Sequence, residues 1–92
     1  MIKSFKCPDT LTMFEGRRVK RFVNIQAAAM RKLAIVSRAE RLDDLRVPPG
    51  NRLEALKGNR AGQYSIRVND QFRICFRWTG LNAGAVEIVD YH

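Results

Sequence analysis

Between residues 24 and 38 the chain places Ile25, Ala28, Ala29, Leu33 and Val36 on one stripe, and Arg31 and Arg38, seven apart, on another. Spacings of three and four are the period of an α-helix with one buried face, and Asn24 stands where an N-cap is needed. Leu42 and Leu45, three apart, predict a short second helix. Pro48-Pro49-Gly50 ends it, because proline cannot continue a helical hydrogen-bond ladder. Beyond this point the period falls to two. Leu53 to Leu56 begins a sheet, Lys57-Gly58-Asn59-Arg60 makes a turn, and residues 63–68 alternate polar with apolar side chains. The clearest strand follows, with Phe72, Ile74, Phe76 and Trp78 on one face and Arg73, Cys75 and Arg77 on the other.

The ends of the chain extend this order. Ile2, Ser4 and Lys6 alternate with Lys3 and Phe5 in a short first strand closed by Pro8, and a helical turn or two follows. Gly16 marks a break before a basic cluster of Arg17, Arg18, Lys20 and Arg21, whose ordinary reading is a solvated loop. Residues 79–84, Thr-Gly-Leu-Asn-Ala-Gly, read as a hairpin loop. The last strand then carries Val86 and Ile88 on one face and Glu87, Val89 and Tyr91 on the other.

Parity fixes the turn between the two central strands. A two-residue loop would pair Ile66 with Arg73 and put core and charge on one face. The three-residue loop Asn69-Asp70-Gln71 pairs Val68 with Phe72, Ile66 with Ile74 and Tyr64 with Phe76. It also sets Arg67 opposite Arg73, a like-charge pair that an anionic ligand would relieve. If Ile88 shares the core face with Ile74, Tyr91 joins Arg73 on the open face, Glu87 can neutralise Arg73 or Arg77, and Asp90 points away from them.

Ninety-two residues make one domain, 1–92, with a formal charge of +8. Twelve of the seventeen cations are arginine, whose planar fork suits phosphate oxygens, so nucleic acid is the favoured partner. No apolar run is long enough to span a membrane and no secretory segment opens the chain, so a cytoplasmic protein without a membrane partner is expected. Cys7 and Cys75 have no CxxC spacing and one histidine cannot complete a ligand set, so no metal and no cofactor are expected.

Metal-free RNA cleavage fits what remains, because the 2′-hydroxyl is an internal nucleophile. The protein must then move two protons and offset charge on phosphorus oxygens. Tyr91 and His92 are candidates for proton transfer, Glu54 and Asp90 for orienting or replacing them, and Lys57, Arg73 and Arg67 for the cations. A tyrosine ionises near neutrality only beside cations, which the arginine-rich face could supply. On these residues alone a nucleic-acid-binding module stands ahead of an enzyme.

Five segments, in order, resemble the HigB-type toxins of the RelE-like superfamily: Met1 to Phe5, Arg52-Leu53 with Leu56-Lys57-Gly58, Tyr64 to Asn69, Phe72 to Phe76, and the closing Asp90-Tyr91-His92. The resemblance implies an α+β, microbial-ribonuclease-like fold, with two or three N-terminal helices packed on a mainly antiparallel twisted sheet. It further implies a ribosome-dependent mRNA endoribonuclease (an mRNA interferase) that works on the small subunit and is held inactive by a helix-turn-helix, HigA-like antitoxin. Asp90, Tyr91 and His92 carry over as catalytic, and Lys57 and Arg73 as phosphate-facing cations. Some relatives have histidine where this chain has Glu54, so the division of acid and base is left open. Two rivals stand beside this reading: a ParE-like gyrase-inhibiting toxin of the same fold, and a non-enzymatic RNA-binding protein.

Overall fold

A computed structural model describes residues 1–91. Two α-helices, α1 (Pro8–Phe14) and α2 (Gln26–Arg38), precede a four-stranded antiparallel sheet of β1 (Glu54–Ala55), β2 (Tyr64–Arg67), β3 (Phe72–Thr79) and β4 (Asn82–Asp90), in the order β1-β2-β3-β4. The architecture is α+β, as the change of period from about 3.6 to two requires. The helix stripe buries Ile25, Ala29, Leu33 and Val36 against Ile66, Ile74, Phe76, Val86 and Ile88 of the sheet. Leu33 alone, with no exposed surface, contributes about 2–3 kcal/mol by leaving water.

Strands β2 and β3 pair in the register that parity requires. Tyr64 lies opposite Phe76, Ile66 opposite Ile74 and Arg67 opposite Arg73. The Val68 amide closes the loop onto the Phe72 carbonyl at 2.9 Å, and Asn69 Oδ1 accepts the amides of Gln71 and Phe72 within the loop. Ile88 faces Ile74 across β3 and β4, so the core face is continuous over three strands.

Elsewhere tertiary contacts shift the predicted elements. The expected first strand is reduced to two parallel bridges, Ile2 with Ala83 and Phe5 with Val86. Ala85 adopts a left-handed φ of 49° where β4 slips in register between Cys75 and Arg77. Ser4 Oγ accepts the Ala85 amide at 2.8 Å, so a side chain replaces the backbone carbonyl that a regular strand would offer, and the ladder is interrupted there. Asn24 does not cap α2. Residues Lys20–Ile25 form a 3₁₀ turn instead, which buries Phe22 edge-on against Phe72 with ring centroids 6.1 Å apart, and the helix begins one residue after Ile25.

The predicted second helix is also a 3₁₀ turn, Leu42–Arg46, that buries Leu45. Its start is held by Asp44, whose carboxylate accepts the Glu40 and Arg41 amides at 3.0 Å each. The six-residue hairpin loop contracts to Gly80-Leu81, with Thr79 already paired to Asn82. Gly80 supplies a φ of 61° for that tight reversal. Ala83, expected in the loop, is fully buried in β4. No helix among the described residues is long and apolar enough to cross a membrane.

Candidate active site

One row of the sheet carries polar side chains on the face away from α2: Glu54 on β1 pairs with Ser65 on β2, Ser65 with Cys75 on β3, and Cys75 with Glu87 on β4. Such a row follows from the period of two, since residues opposed across a ladder point to the same side. This face is not simply open to water. Ser65 and Cys75 are fully buried, and the turn Gly58–Arg60 that follows β1 brings the Arg60 charge near Cys75 and onto its neighbour Glu87. Burial pushes the Cys75 thiol pKa up, with Arg60 acting against that shift, so the residue is a packed neutral thiol.

Arg73 lies two residues before Cys75 and so shares its face. Its Nη1 donates to Ser65 Oγ at 2.8 Å and stands 3.9 Å from Glu54 Oε1. Its Cζ lies 5.6 Å from the centre of the Tyr91 ring, within reach of a cation–π attraction. The strand runs far enough to place that ring. The Tyr91 amide donates to the Gln71 carbonyl, and Gln71 Nε2 donates to Asp90 Oδ2 at 3.0 Å. Alternation thus sends Tyr91 toward Arg73 and Asp90 toward the Asn69–Gln71 loop.

Tyr91 closes one side of a cleft of about 480 Å³, lined by Glu54, Ala55, Leu56, Lys57 and Arg60. Its hydroxyl pKa is raised. Partial burial is the largest cause, and Glu54 and, once ionised, the Cys75 thiolate push the same way against the lowering influence of Arg60 and Arg73. The expectation that cations would favour ionisation is therefore corrected, because loss of water and nearby acids outweigh them. The phenol therefore holds its proton at neutral pH, the state from which a general acid starts.

Glu87 does not neutralise Arg73 or Arg77. Its Oε2 accepts from Arg60 Nη1 at 3.2 Å and lies 3.5 Å from Lys6 Nζ, because Arg73 turns to Ser65 and Arg60 arrives over the strand instead. Arg60 Nη1 also donates to Gln63 Oε1 at 3.1 Å. The expected clash of Arg67 with Arg73 is likewise answered inside the chain. Arg67 pairs with the Asp70 carboxylate and Arg73 with Ser65 and Glu54, so no external anion is needed to hold them opposite each other.

The sequence profile of the HigB-like toxins, described as RelE-like toxins of type II toxin–antitoxin systems, matches residues 5–92. The chain belongs to this HigB-like family. Toxin HigB-1 of Vibrio cholerae is 53% identical over 55 residues, which are 60% of this chain and 58% of that protein. An uncharacterised protein of Haemophilus influenzae is 42% identical over the same share of this chain and 54% of its own length. The match thus spans under three fifths of either relative. Among solved structures, the YoeB–YefM toxin–antitoxin complex of Staphylococcus aureus covers all of this chain and 98% of its own, with a TM-score of 0.58 at 18% identity. A YoeB/ParE toxin from Agrobacterium tumefaciens covers 99% and 100%, with a TM-score of 0.59 at 18% identity. At such identities these two establish a shared fold.

Within this HigB-like fold the residues singled out from the sequence do not all meet. Glu54, Lys57 and Tyr91 line the cleft and Arg73 stacks beside Tyr91. Arg67 and Asp90 are not among the lining residues, being engaged with Asp70 and Gln71 respectively. His92 lies outside the described residues. Sequence reading missed Arg60, which looked like a turn residue, and Ser65, which looked like an ordinary polar strand position. The available signal was parity, since Ser65 had to share a face with Arg73 once the three-residue loop was accepted.

Proposed function

We propose that this HigB-like chain is a ribosome-dependent endoribonuclease that cleaves translated mRNA in the cytoplasm, on the small ribosomal subunit, without a cofactor. A cognate antitoxin of the HigA-like type is its neutralising partner, a reading supported by the family and by toxin–antitoxin complexes among its structural relatives. The observation that carries the reaction is the convergence of a protonated phenol, a carboxylate and cations on one cleft. Cleavage needs those groups and a substrate 2′-hydroxyl, and nothing more.

In this reading a message phosphate sits among Lys57, Arg73 and the mouth of the cleft. The 2′-hydroxyl loses its proton to Glu54 or to His92, and its oxygen attacks the adjacent phosphorus. The bond from phosphorus to the 5′-oxygen breaks, and Tyr91 protonates that oxygen. The products are a 2′,3′-cyclic phosphate and a 5′-hydroxyl end. Asp90 positions Tyr91 through Gln71, and Arg67 approaches a flanking phosphate. Translating ribosomes incubated with the protein, followed by 5′-end mapping, test this directly. Cuts bearing 5′-hydroxyl ends are expected with the wild type and are lost on deleting His92. DNA damage with intact messages would instead favour the gyrase-directed rival, and RNA binding without cuts the non-enzymatic one.

A further inference from the structure

Arg60, in the lining of the cleft, has a guanidinium held by two side-chain acceptors, Glu87 at 3.2 Å and Gln63 at 3.1 Å. Its side chain keeps 30% of its exposure, and that of Glu87 only 15%. The Glu87 carboxylate is anchored in turn by Lys6 from the N-terminal segment. A side chain braced from two elements has already lost most of the rotamer freedom that an exposed arginine would keep. Nothing in the turn Gly58–Arg60 itself needs this brace: its backbone is closed by the Arg60 amide on the Lys57 carbonyl and the Ala61 amide on the Gly58 carbonyl. The brace therefore serves the guanidinium.

We propose that Arg60, held by Glu87 and Gln63, is a positioning residue that fixes a positive charge in the cleft that Tyr91 lines, in addition to the charge of Arg73 against the Tyr91 ring. Tyr91 then meets two guanidiniums, Arg73 of β3 with its Cζ 5.6 Å from the ring centre and Arg60 of the turn after β1 in the shared cleft. The other groups facing it are Cys75 from β3, Glu54 from β1 and Lys57, which shares the cleft. As Tyr91 gives up its proton in the reaction proposed above, the phenolate that forms is stabilised by this fixed charge, with no side chain having to move. Arg60's direction of influence on Tyr91 is downward, against the upward push of burial. Glu87 sets how strongly that charge acts, because a carboxylate on the guanidinium offsets part of its field. The role rests on the nuclease reading for its purpose and on the cleft geometry for its existence.

Near-ultraviolet absorbance of phenolate separates the two. Tyr64 and Tyr91 are the chain's two tyrosines, so subtraction of a Tyr91→Phe titration isolates Tyr91, with circular dichroism at each pH to show that the fold is retained. Arg60→Gln should move the Tyr91 midpoint to higher pH, and Arg60→Lys should restore part of the shift. Glu87→Gln, which frees the guanidinium's field and keeps the shape, should move it to lower pH; it serves also if Arg60→Gln does not fold. Midpoints unchanged in Glu87→Gln and in any folded Arg60→Gln would overturn the proposal. In message cleavage, Arg60→Gln should lower kcat about tenfold with KM within about twofold, as expected for a group acting on the transition state. Shifted midpoints in a protein that cleaves no message would uphold the placement of Arg60 and remove the nuclease reading.

Discussion

Replacing Arg73 by leucine removes the guanidinium and keeps an aliphatic stem in a site where the arginine side chain is only 17% exposed. The largest loss is the charged hydrogen bond to Ser65 Oγ, 2.8 Å long and set over a fully buried serine, worth about 1.5–3 kcal/mol. The Glu54 contact adds about 0–1 kcal/mol, since its carboxylate is 56% exposed and 3.9 Å away. Stacking on the Tyr91 ring adds about 0.5–1 kcal/mol. Urea unfolding should therefore show a loss of roughly 2–5 kcal/mol. Most of it belongs to one pair, so the double variant Arg73→Leu/Ser65→Ala should be less damaged than the sum of the single variants, by about 1–2 kcal/mol. Among the molecules that remain folded, message cleavage should fall about 10²- to 10³-fold if Arg73 faces the phosphate as proposed. A loss of stability below about 0.5 kcal/mol, or strictly additive single variants, would refute the claim that Ser65 and Arg73 form one buried unit.

Three smaller tests bear on the scaffold. Ala85→Gly should stabilise the fold by about 0.5–1 kcal/mol in thermal unfolding, because glycine takes the left-handed φ of 49° without the penalty an alanine bears; a destabilised variant would argue against that backbone. Amides of Arg41 and Glu40 hold the Asp44 carboxyl below its usual range. The stability it lends is present above the ordinary aspartate pKa and is lost as pH falls through the lowered folded value, so Asp44→Asn should flatten the acid limb of the stability–pH curve. Alkylation at neutral pH, followed by mass spectrometry, should label Cys7 well before Cys75. Burial would raise the Cys7 thiol, but hydrogen bonds from Thr10 and Asp9 and the Arg21 charge bring it below its ordinary value, whereas Cys75 is raised and enclosed. Equal labelling would contradict the buried setting of Cys75.

Strand parity was legible because the period of two leaves no freedom once one loop length is chosen. It placed Arg67 opposite Arg73 and sent Tyr91 to Arg73's side and Asp90 away from it. Local signals misled where a distant partner supplied the hydrogen bonds. Asn24 has the chemistry of a cap, yet burial of Phe22 pulls its segment into a 3₁₀ turn. Small residues at 83 and 84 resemble a loop, but Ala83 is buried, and a Cβ on Gly84 would meet Ser4 Oγ at 3.4 Å. The cleft was half legible. Glu54, Lys57 and Tyr91 were named from residue type and resemblance, whereas the link from Arg60 to Glu87 joins positions 27 apart and leaves no periodic trace. The sign of the Tyr91 shift depended on enclosure, which alternation cannot measure.

Tyr91 stands at the centre of the proposed chemistry and is 39% exposed, so Tyr91→Phe removes the hydroxyl with little cost to the fold. Single-turnover cleavage of a message on programmed ribosomes should fall about 10²- to 10⁴-fold in this variant, the range for losing a positioned proton donor, with its affinity for the ribosome retained. Cleavage by Tyr91→Phe at the wild-type rate, with the same 5′-hydroxyl ends, would contradict the assignment of Tyr91 as the group that protonates the departing oxygen.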